Sequence, residues 1–266
     1  MKIGVIGGGA MGEAIVAAVT NAGVTDAASI CVADISQARL DYLRAHYGVE
    51  TTASVADAVT GRDLCILAVK PQNIEDAARA WPRKGLGGTV VSIMAGVPID
   101  RIARLLGTQA IVRAMPNTPA QIGEGMTVWT ATESVPEAGR DQAKRVFAAL
   151  GQEVFVPEER YLDMATALSG SGPAYVFLFI EALTDAGVHL GLARETASLL
   201  AVQTVLGSAR YARETQRHPA ELRNQVTSPG GTTTEALRVL EAKGVRAAVL
   251  EAVIAAYEKS RQLGQA

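Results

Sequence analysis

The sequence predicts an α/β protein, with a doubly wound, mostly parallel sheet over residues 1–156 followed by an all-α domain over residues 157–266. Three observations predict it. Short β-type runs alternate with helical stretches through the first half, a glycine-rich turn joins the first run to the first helix, and strand runs cease after Pro157. Alternating strands and helices argue for a parallel sheet covered on both faces.

The first strand is KIGVIG, followed by a helix through Ala14 to Thr20. SICVAD is the second, followed by a helix from Ser36 to Tyr47. DLCILAV, TVVSIMA, AIVRAM, MTVWTA and EVFVP supply the rest of the sheet. Beyond Pro157, helical patterns cover Ala174 to Gly187, Arg194 to Ala212, Thr233 to Ala242 and Arg246 to Gln262. Ala182, Leu183, Ala186 and Leu190 form one apolar stripe, and Leu199, Leu200, Val202 and Leu206 another. A domain of this size has little with which to cover so much apolar helix surface, so self-association through the helices is expected.

Composition excludes several classes of function. At 266 residues, 48% hydrophobic and 20% charged, the chain has the balance of an ordinary globular protein. Its net charge of −2 offers no footprint for nucleic acid or an anionic membrane, so neither is an expected partner. The MKIGVIGGGAMG start lacks the apolar segment and cleavage site of a secretory signal, and a cytoplasmic location is expected. Cys31 and Cys65 sit inside apolar runs without metal-type or redox-type spacing, which predicts buried thiols and no metal site.

The run Gly7-Gly8-Gly9-Ala10-Met11-Gly12 directly follows the first strand, at Ile6, and opens a helix. It satisfies G-x-G-x-x-G, the Rossmann fingerprint, in which glycines permit a tight turn, close backbone approach to a pyrophosphate, and packing of helix on strand. Asp34, ending the second strand, is placed to accept from a ribose 2′-hydroxyl and by itself favours NADH. The lesser alternative for it is a plain helix-start residue, since Asp is a common N-cap. Ser36 and Arg39 lie just beyond and keep NADPH open. Ala68-Val69-Lys70-Pro71 closes the DLCIL strand at the ligand-binding end of such sheets, with Lys70 either near phosphate or solvated. Ala95 ends another strand, where a small residue lets a nicotinamide approach or simply makes a turn. Asn117, in Met115-Pro116-Asn117-Thr118-Pro119, lies in a proline-stiffened turn that is a candidate wall of the hydride-transfer site.

In the second half, Ser169-Gly170-Ser171-Gly172-Pro173 reads as a hinge between two helices, with Ser171 as N-cap of the second. Pro219 to Glu241 reads PAELRNQVTSPGGTTTEALRVLE. Thr232 and Glu235 have capping-box spacing. That leaves Gly230-Gly231 beside Ser228 and Thr233 unexplained, and free N–H groups at such a helix start suit a carboxylate.

This stretch resembles the signature of the pyrroline-5-carboxylate reductases, with Pro219, Leu222, Val226, Thr227, Ser228, Gly230, Gly231, Thr233, Ala236, Leu237, Leu240 and Glu241 on its pattern. GGGAMG, AVKP, MPNTP and SGSGPAY resemble the family's other landmarks, in order along nearly the whole chain. The resemblance implies NADPH- or NADH-dependent reduction of 1-pyrroline-5-carboxylate to L-proline by a helically interlocked dimer that can assemble further into a decamer. It also implies that Ser228, Gly230, Gly231, Thr232 and Thr233 hold the substrate carboxylate, that Thr233 donates to the ring nitrogen, that Glu159 lies near substrate, and that Gln225 lies near cofactor. Ser54 is the nearest match to a polar cofactor contact, and Asp34 departs from the neutral or basic run of many members.

Other readings remain at this stage: a reductase of another small cyclic imine, a non-catalytic dinucleotide sensor, or a β-hydroxyacid dehydrogenase. The last resembles the chain at GGGAMG but needs a helical-domain lysine, and neither Lys243 nor Lys259 follows the SGSGP turn.

Overall fold

The computed structural model describes residues 1–82 and 88–265. Its strands are β1 (Ile3–Ile6), β2 (Ile30–Ala33), β3 (Glu50–Thr52), β4 (Leu64–Leu67), β5 (Thr89–Ser92), β6 (Ile111–Met115), β7 (Gly125–Ala131) and β8 (Gly151–Phe155). They form one sheet in the order β3-β2-β1-β4-β5-β6-β7-β8, parallel throughout except for the β6–β7 pair. All the expected strands are present. β3, of sequence Glu-Thr-Thr, is an addition, too short and polar to register as a strand run.

Between the strands lie α1 (Ala10–Asn21), α2 (Gln37–Tyr47), α3 (Val55–Val59), α4 (Ile74–Arg79), α5 (Ile99–Leu106) and α6 (Glu137–Ala149). Successive strand residues point to opposite faces. Ile3, Val5, Leu64 and Ile66 therefore join one core with Ile15, Val16 and Phe147, while Ile6, Cys65 and Leu67 join another with Ile74, Trp81 and Ile102. Both cysteines are buried and free. Burial pushes both thiols up, Cys65 to about 12.

The remaining helices are α7 (Arg160–Ala165), α8 (Gly172–His189), α9 (Arg194–Thr215), α10 (Pro219–Gln225), α11 (Thr232–Ala242) and α12 (Val245–Gln265). The chain divides into two compact units, one of residues 1–171 with Ala255 onward, the other Gly172–Ile254. The change from strands to helices falls at residues 156/157, but packing divides the chain later. Leu162 and Ala165 of α7 cluster with Val128 of β7, which ties α7 to the sheet.

The boundary between the two units falls inside SGSGP, where the hinge was expected; a π-turn over Thr166–Gly170 leads into α8 there, and Ser171 is helical (φ −83°, ψ −20°) rather than an N-cap. Pro173 has no N–H, so the Ser169 carbonyl one turn earlier lacks its intrahelical donor. The Asn117 amide supplies one, Nδ2 to Ser169 O at 3.1 Å.

In the second unit α8 and α9 pack together, with Gly187 giving close access to Ala197. Thr184, Ala197 and Ala201 are the buried residues among those described. The anticipated stripes lie bare in the single chain: Leu190 is 84% exposed, Leu199 69% and Leu206 58%. The segment Arg160–His189 is long and apolar enough to cross a membrane by length and composition, with Phe177, Leu178 and Phe179 exposed on it.

Candidate active site

The chain leaves β1 toward β2 and β3 on one side, then returns to place β4 on the other. β1 and β4 thus flank the switch point where open α/β sheets bind ligands, beyond the carboxyl ends of their strands. Ile6 and Leu67 are paired there, and Ala68 N donates to Ile6 O at 2.8 Å. Ile6 ends β1, and Gly7 to Gly12, Asp34, Ser54, Ala68 to Pro71, Ala95 and Asn117 all follow the carboxyl ends of strands in this unit.

The glycines divide the work of the fingerprint. Gly7 has φ +101°, and a Cβ there would meet Ala68 O at 2.7 Å. At Gly12 a Cβ would overlap the Gly7 carbonyl, so only glycine lets α1 pack this close to β1. Gly9 is exposed, and nothing lies within 4 Å of where its Cβ would be. The Gly9 backbone at the N-terminus of α1 is therefore open to a pyrophosphate, and Ala10 and Met11 carry the next N–H groups of that terminus. This loop fits a dinucleotide.

Asp34 braces the loop from β2. Its Oδ2 accepts from Gly8 N at 2.7 Å, and its Oδ1 from Ser36 N at 2.9 Å. The N-cap of α2 is Ser36, whose side chain accepts from Arg39 N, and not Asp34, the helix-start candidate of the sequence. Arg39, one turn into α2, donates through Nε to the Gly8 carbonyl and pairs with Glu13 of α1. Tyr42 and Tyr47 hydroxyls donate to the same Glu13 carboxylate at 3.1 and 2.8 Å. Burial pushes the Glu13 carboxyl up, but hydrogen bonds from Arg39, Tyr47 and Tyr42 outweigh it and hold the group below its ordinary value.

Several expected contacts also have local structural work. Ser54 caps α3, accepting from Asp57 N at 3.2 Å. Lys70 is exposed and precedes a 3₁₀ turn begun by Pro71, while Val69 packs on the core. Ala95 stands beside Gly96, whose φ of +70° turns the chain under Leu263 of α12. Asn117 is engaged at both ends, its Oδ1 accepting from Met126 N at 2.8 Å.

Glu159 lies at a different kind of locus. Its Oε1 accepts from Ile99 N at 2.7 Å and from Arg113 at 2.6 Å. Asp163 stands 3.8 Å from the other Arg113 nitrogen. A cavity of about 240 Å³ opens here, lined by Gly96, Pro98, Arg113, Glu159, Arg160 and Asp163, among others.

In the second unit, Ser228 to Gly231 form a β-turn closed by Gly231 N on Ser228 O at 3.1 Å. Gly230 has φ +68°, the sign a type II turn requires at that position. The N-cap of α11 is Gly231, and no side chain caps it. The capping box anticipated from Thr232 and Glu235 is therefore absent. Thr232 is already the first helical residue, since the Gly231 carbonyl accepts the first intrahelical bond from Glu235 N at 3.4 Å, and the Glu235 side chain pairs with Arg238 at 3.0 Å instead. Thr234 N donates to the Gly231 carbonyl at 3.1 Å, while the N–H groups of Thr232 and Thr233 precede any intrahelical acceptor, as at other helix starts that suit an anion. Gln225 ends α10, and its amide, oriented to satisfy its neighbour, accepts from Arg217.

Sequence reasoning missed Glu13 and Arg113. An acid in the first turn of the fingerprint helix and an arginine inside an apolar strand run were the available signals.

A glycine loop open at Gly9, at the switch point of a doubly wound sheet, defines a dinucleotide-binding domain, and the similarities that follow make the chain a nicotinamide-dependent oxidoreductase. Reductases named pyrroline-5-carboxylate reductase match end to end: that of Synechocystis sp. is 44% identical over 100% of this chain and 99% of its own, and that of Escherichia coli 41% over 99% and 98%. This chain belongs to the pyrroline-5-carboxylate reductase family. Residues 159–263 match the model described as pyrroline-5-carboxylate reductase dimerisation, and residues 2–96 that described as NADP oxidoreductase, coenzyme F420-dependent. The Coxiella burnetii reductase structure superposes with TM-score 0.89, at 39% identity and 98% coverage of both chains. A Plasmodium falciparum pyrroline carboxylate reductase with NADP bound gives 0.87, at 31% identity over 99% of this chain and 98% of that one.

Proposed function

We propose that this chain reduces the C=N bond of 1-pyrroline-5-carboxylate with NADH or NADPH, forming L-proline in the last step of proline biosynthesis. The observation that carries the reading is end-to-end similarity to reductases of that name, with the glycine loop and the Ser228–Thr233 turn both intact. The bound nicotinamide supplies the hydride. In this reading the chain's own residues position the reactants: N–H groups of Thr232 and Thr233, with the Ser228 hydroxyl and the Gly230-Gly231 turn, hold the substrate carboxylate. The Thr233 hydroxyl donates to the lone pair that the ring nitrogen gains as hydride reaches the carbon. A protonated imine is already electrophilic, so the site needs no strong acid. Ser54, Lys70, Ala95, Asn117 and Gln225 are kept as cofactor neighbours, and Glu159 as a substrate neighbour.

Asp34 favours NADH, since a carboxylate accepts from a 2′-hydroxyl and repels a 2′-phosphate. We also propose that the bare faces of α8 and α9 join two copies, that dimers assemble further into a decamer, and that the enzyme works in the cytoplasm. Light scattering at micromolar concentration checks the first two points, and a monomer there contradicts them.

Oxidation of NADH and NADPH with 1-pyrroline-5-carboxylate, followed spectrophotometrically, tests the activity. Oxidation with either cofactor supports it. Oxidation only with a six-membered imine points to a different substrate, and none with either cofactor points to a sensor.

A further inference from the structure

Resting on the reading of the switch point as a nicotinamide dinucleotide site, we propose that Glu13 is a specificity-determining residue that disfavours NADPH by holding Arg39 away from the cofactor's 2′-phosphate. Doubly wound sheets read the adenosine ribose at the end of the second strand, and a nearby arginine is what accommodates a 2′-phosphate. Arg39 stands at that place. A Cβ at Gly8 would lie 3.4 Å from both Arg39 Cγ and Asp34 Oδ2, so the acid, the arginine and the loop converge on one point.

The guanidinium is nevertheless engaged on several sides. Nε is on the Gly8 carbonyl, one terminal nitrogen is on Glu13, and the Tyr42 ring lies 4.9 Å beneath the guanidinium carbon. Glu13 is fixed in turn by the Tyr42 and Tyr47 hydroxyls. Asp34, Glu13 and Arg39 together carry a net charge of −1. That balance admits a ribose diol and opposes a phosphate, although an arginine is present.

The test measures equilibrium binding of NADH and NADPH, without imine, by nicotinamide fluorescence to the full-length protein and its variants. Glu13→Gln removes the opposing charge, weakens the hold on Arg39 and lowers the NADPH Kd about tenfold, the scale of one hydrogen bond to a charged group, with the NADH Kd within about twofold. Adding Arg39→Met cancels that gain. An affinity ratio unchanged by Glu13→Gln, or a gain that survives Arg39→Met, overturns the proposal.

Arg39→Met alone gives an independent reading should Glu13→Gln fail to fold. The NADPH-to-NADH affinity ratio then stays within about twofold, because the arginine was already withheld. A tenfold fall in that ratio would show Arg39 already serving the phosphate and overturn the proposal. Failure of the wild-type protein to bind either dinucleotide would instead remove the underlying reading of the site.

Discussion

Arg113 leaves β6 with its side chain only 5% exposed, and the Glu159 carboxylate meets its guanidinium at 2.6 Å while also accepting from Ile99 N at 2.7 Å. One carboxylate thus ties a buried cation to the start of α5, just after the Ala95-Gly96 turn. Removing one partner of such a pair leaves an uncompensated charge. Glu159→Ala should lower unfolding free energy by about 2 kcal/mol, measured by denaturant titration at fixed protein concentration. Unchanged stability with a raised KM would assign Glu159 to substrate instead.

The second and third glycines of the fingerprint should respond oppositely to the same substitution. Gly12→Ala drives a methyl into the Gly7 carbonyl and should reduce folded yield and melting temperature. Gly9→Ala meets nothing in the chain, so the protein should fold normally and lose roughly tenfold or more in dinucleotide affinity. Thermal melts paired with fluorescence titration check both.

Thr233→Ala should lower kcat roughly tenfold while leaving the cofactor Kd within about twofold, as loss of one hydrogen bond made at the reacting nitrogen. Thr233→Ser should retain most of the rate. Unchanged turnover in the alanine variant would exclude the hydroxyl from the reaction.

High pH should weaken the fold. Burial pushes the Cys65 thiol from 9.0 to about 12, and burial with the Glu13 hydrogen bond moves Tyr47 from 10.0 to about 12. Between those limits the unfolded chain has released protons that the folded chain keeps, so stability falls as pH rises. Cys65 contributes a loss of about 1.4 kcal/mol per pH unit between roughly 9 and 12, and Tyr47 adds to it above roughly 10. Denaturant midpoints across pH 8 to 11 check the slope. A flat profile would contradict it.

The sheet was legible because its strands are apolar runs separated by turn signals, and GGGAMG marks the switch point by itself. β3 was hidden because three polar residues paired at an edge carry no hydrophobic signature. Ser171 misled as an N-cap because the chain runs on from a π-turn into α8, and the Ser169 carbonyl that Pro173 cannot serve is met by Asn117, some fifty residues earlier. The capping box misled because its spacing ignores what stands before Thr232, where the Gly231 carbonyl already accepts from Thr234 N and Glu235 N and so occupies the cap position. Charge pairs joining separate elements, Arg113 with Glu159 and Arg39 with Glu13, leave no periodic trace.

The helical unit buries Thr184, Ala197 and Ala201 and little else among its described residues. Its stability is therefore a property of the population rather than of the molecule, and protomer concentration enters its free energy by mass action. Dilution alone should inactivate it. A catalytically dead but well-folded copy mixed in at high concentration should shelter a wild-type partner from unfolding, while a copy with a charged residue at Leu199 should drag the active subunits down with it.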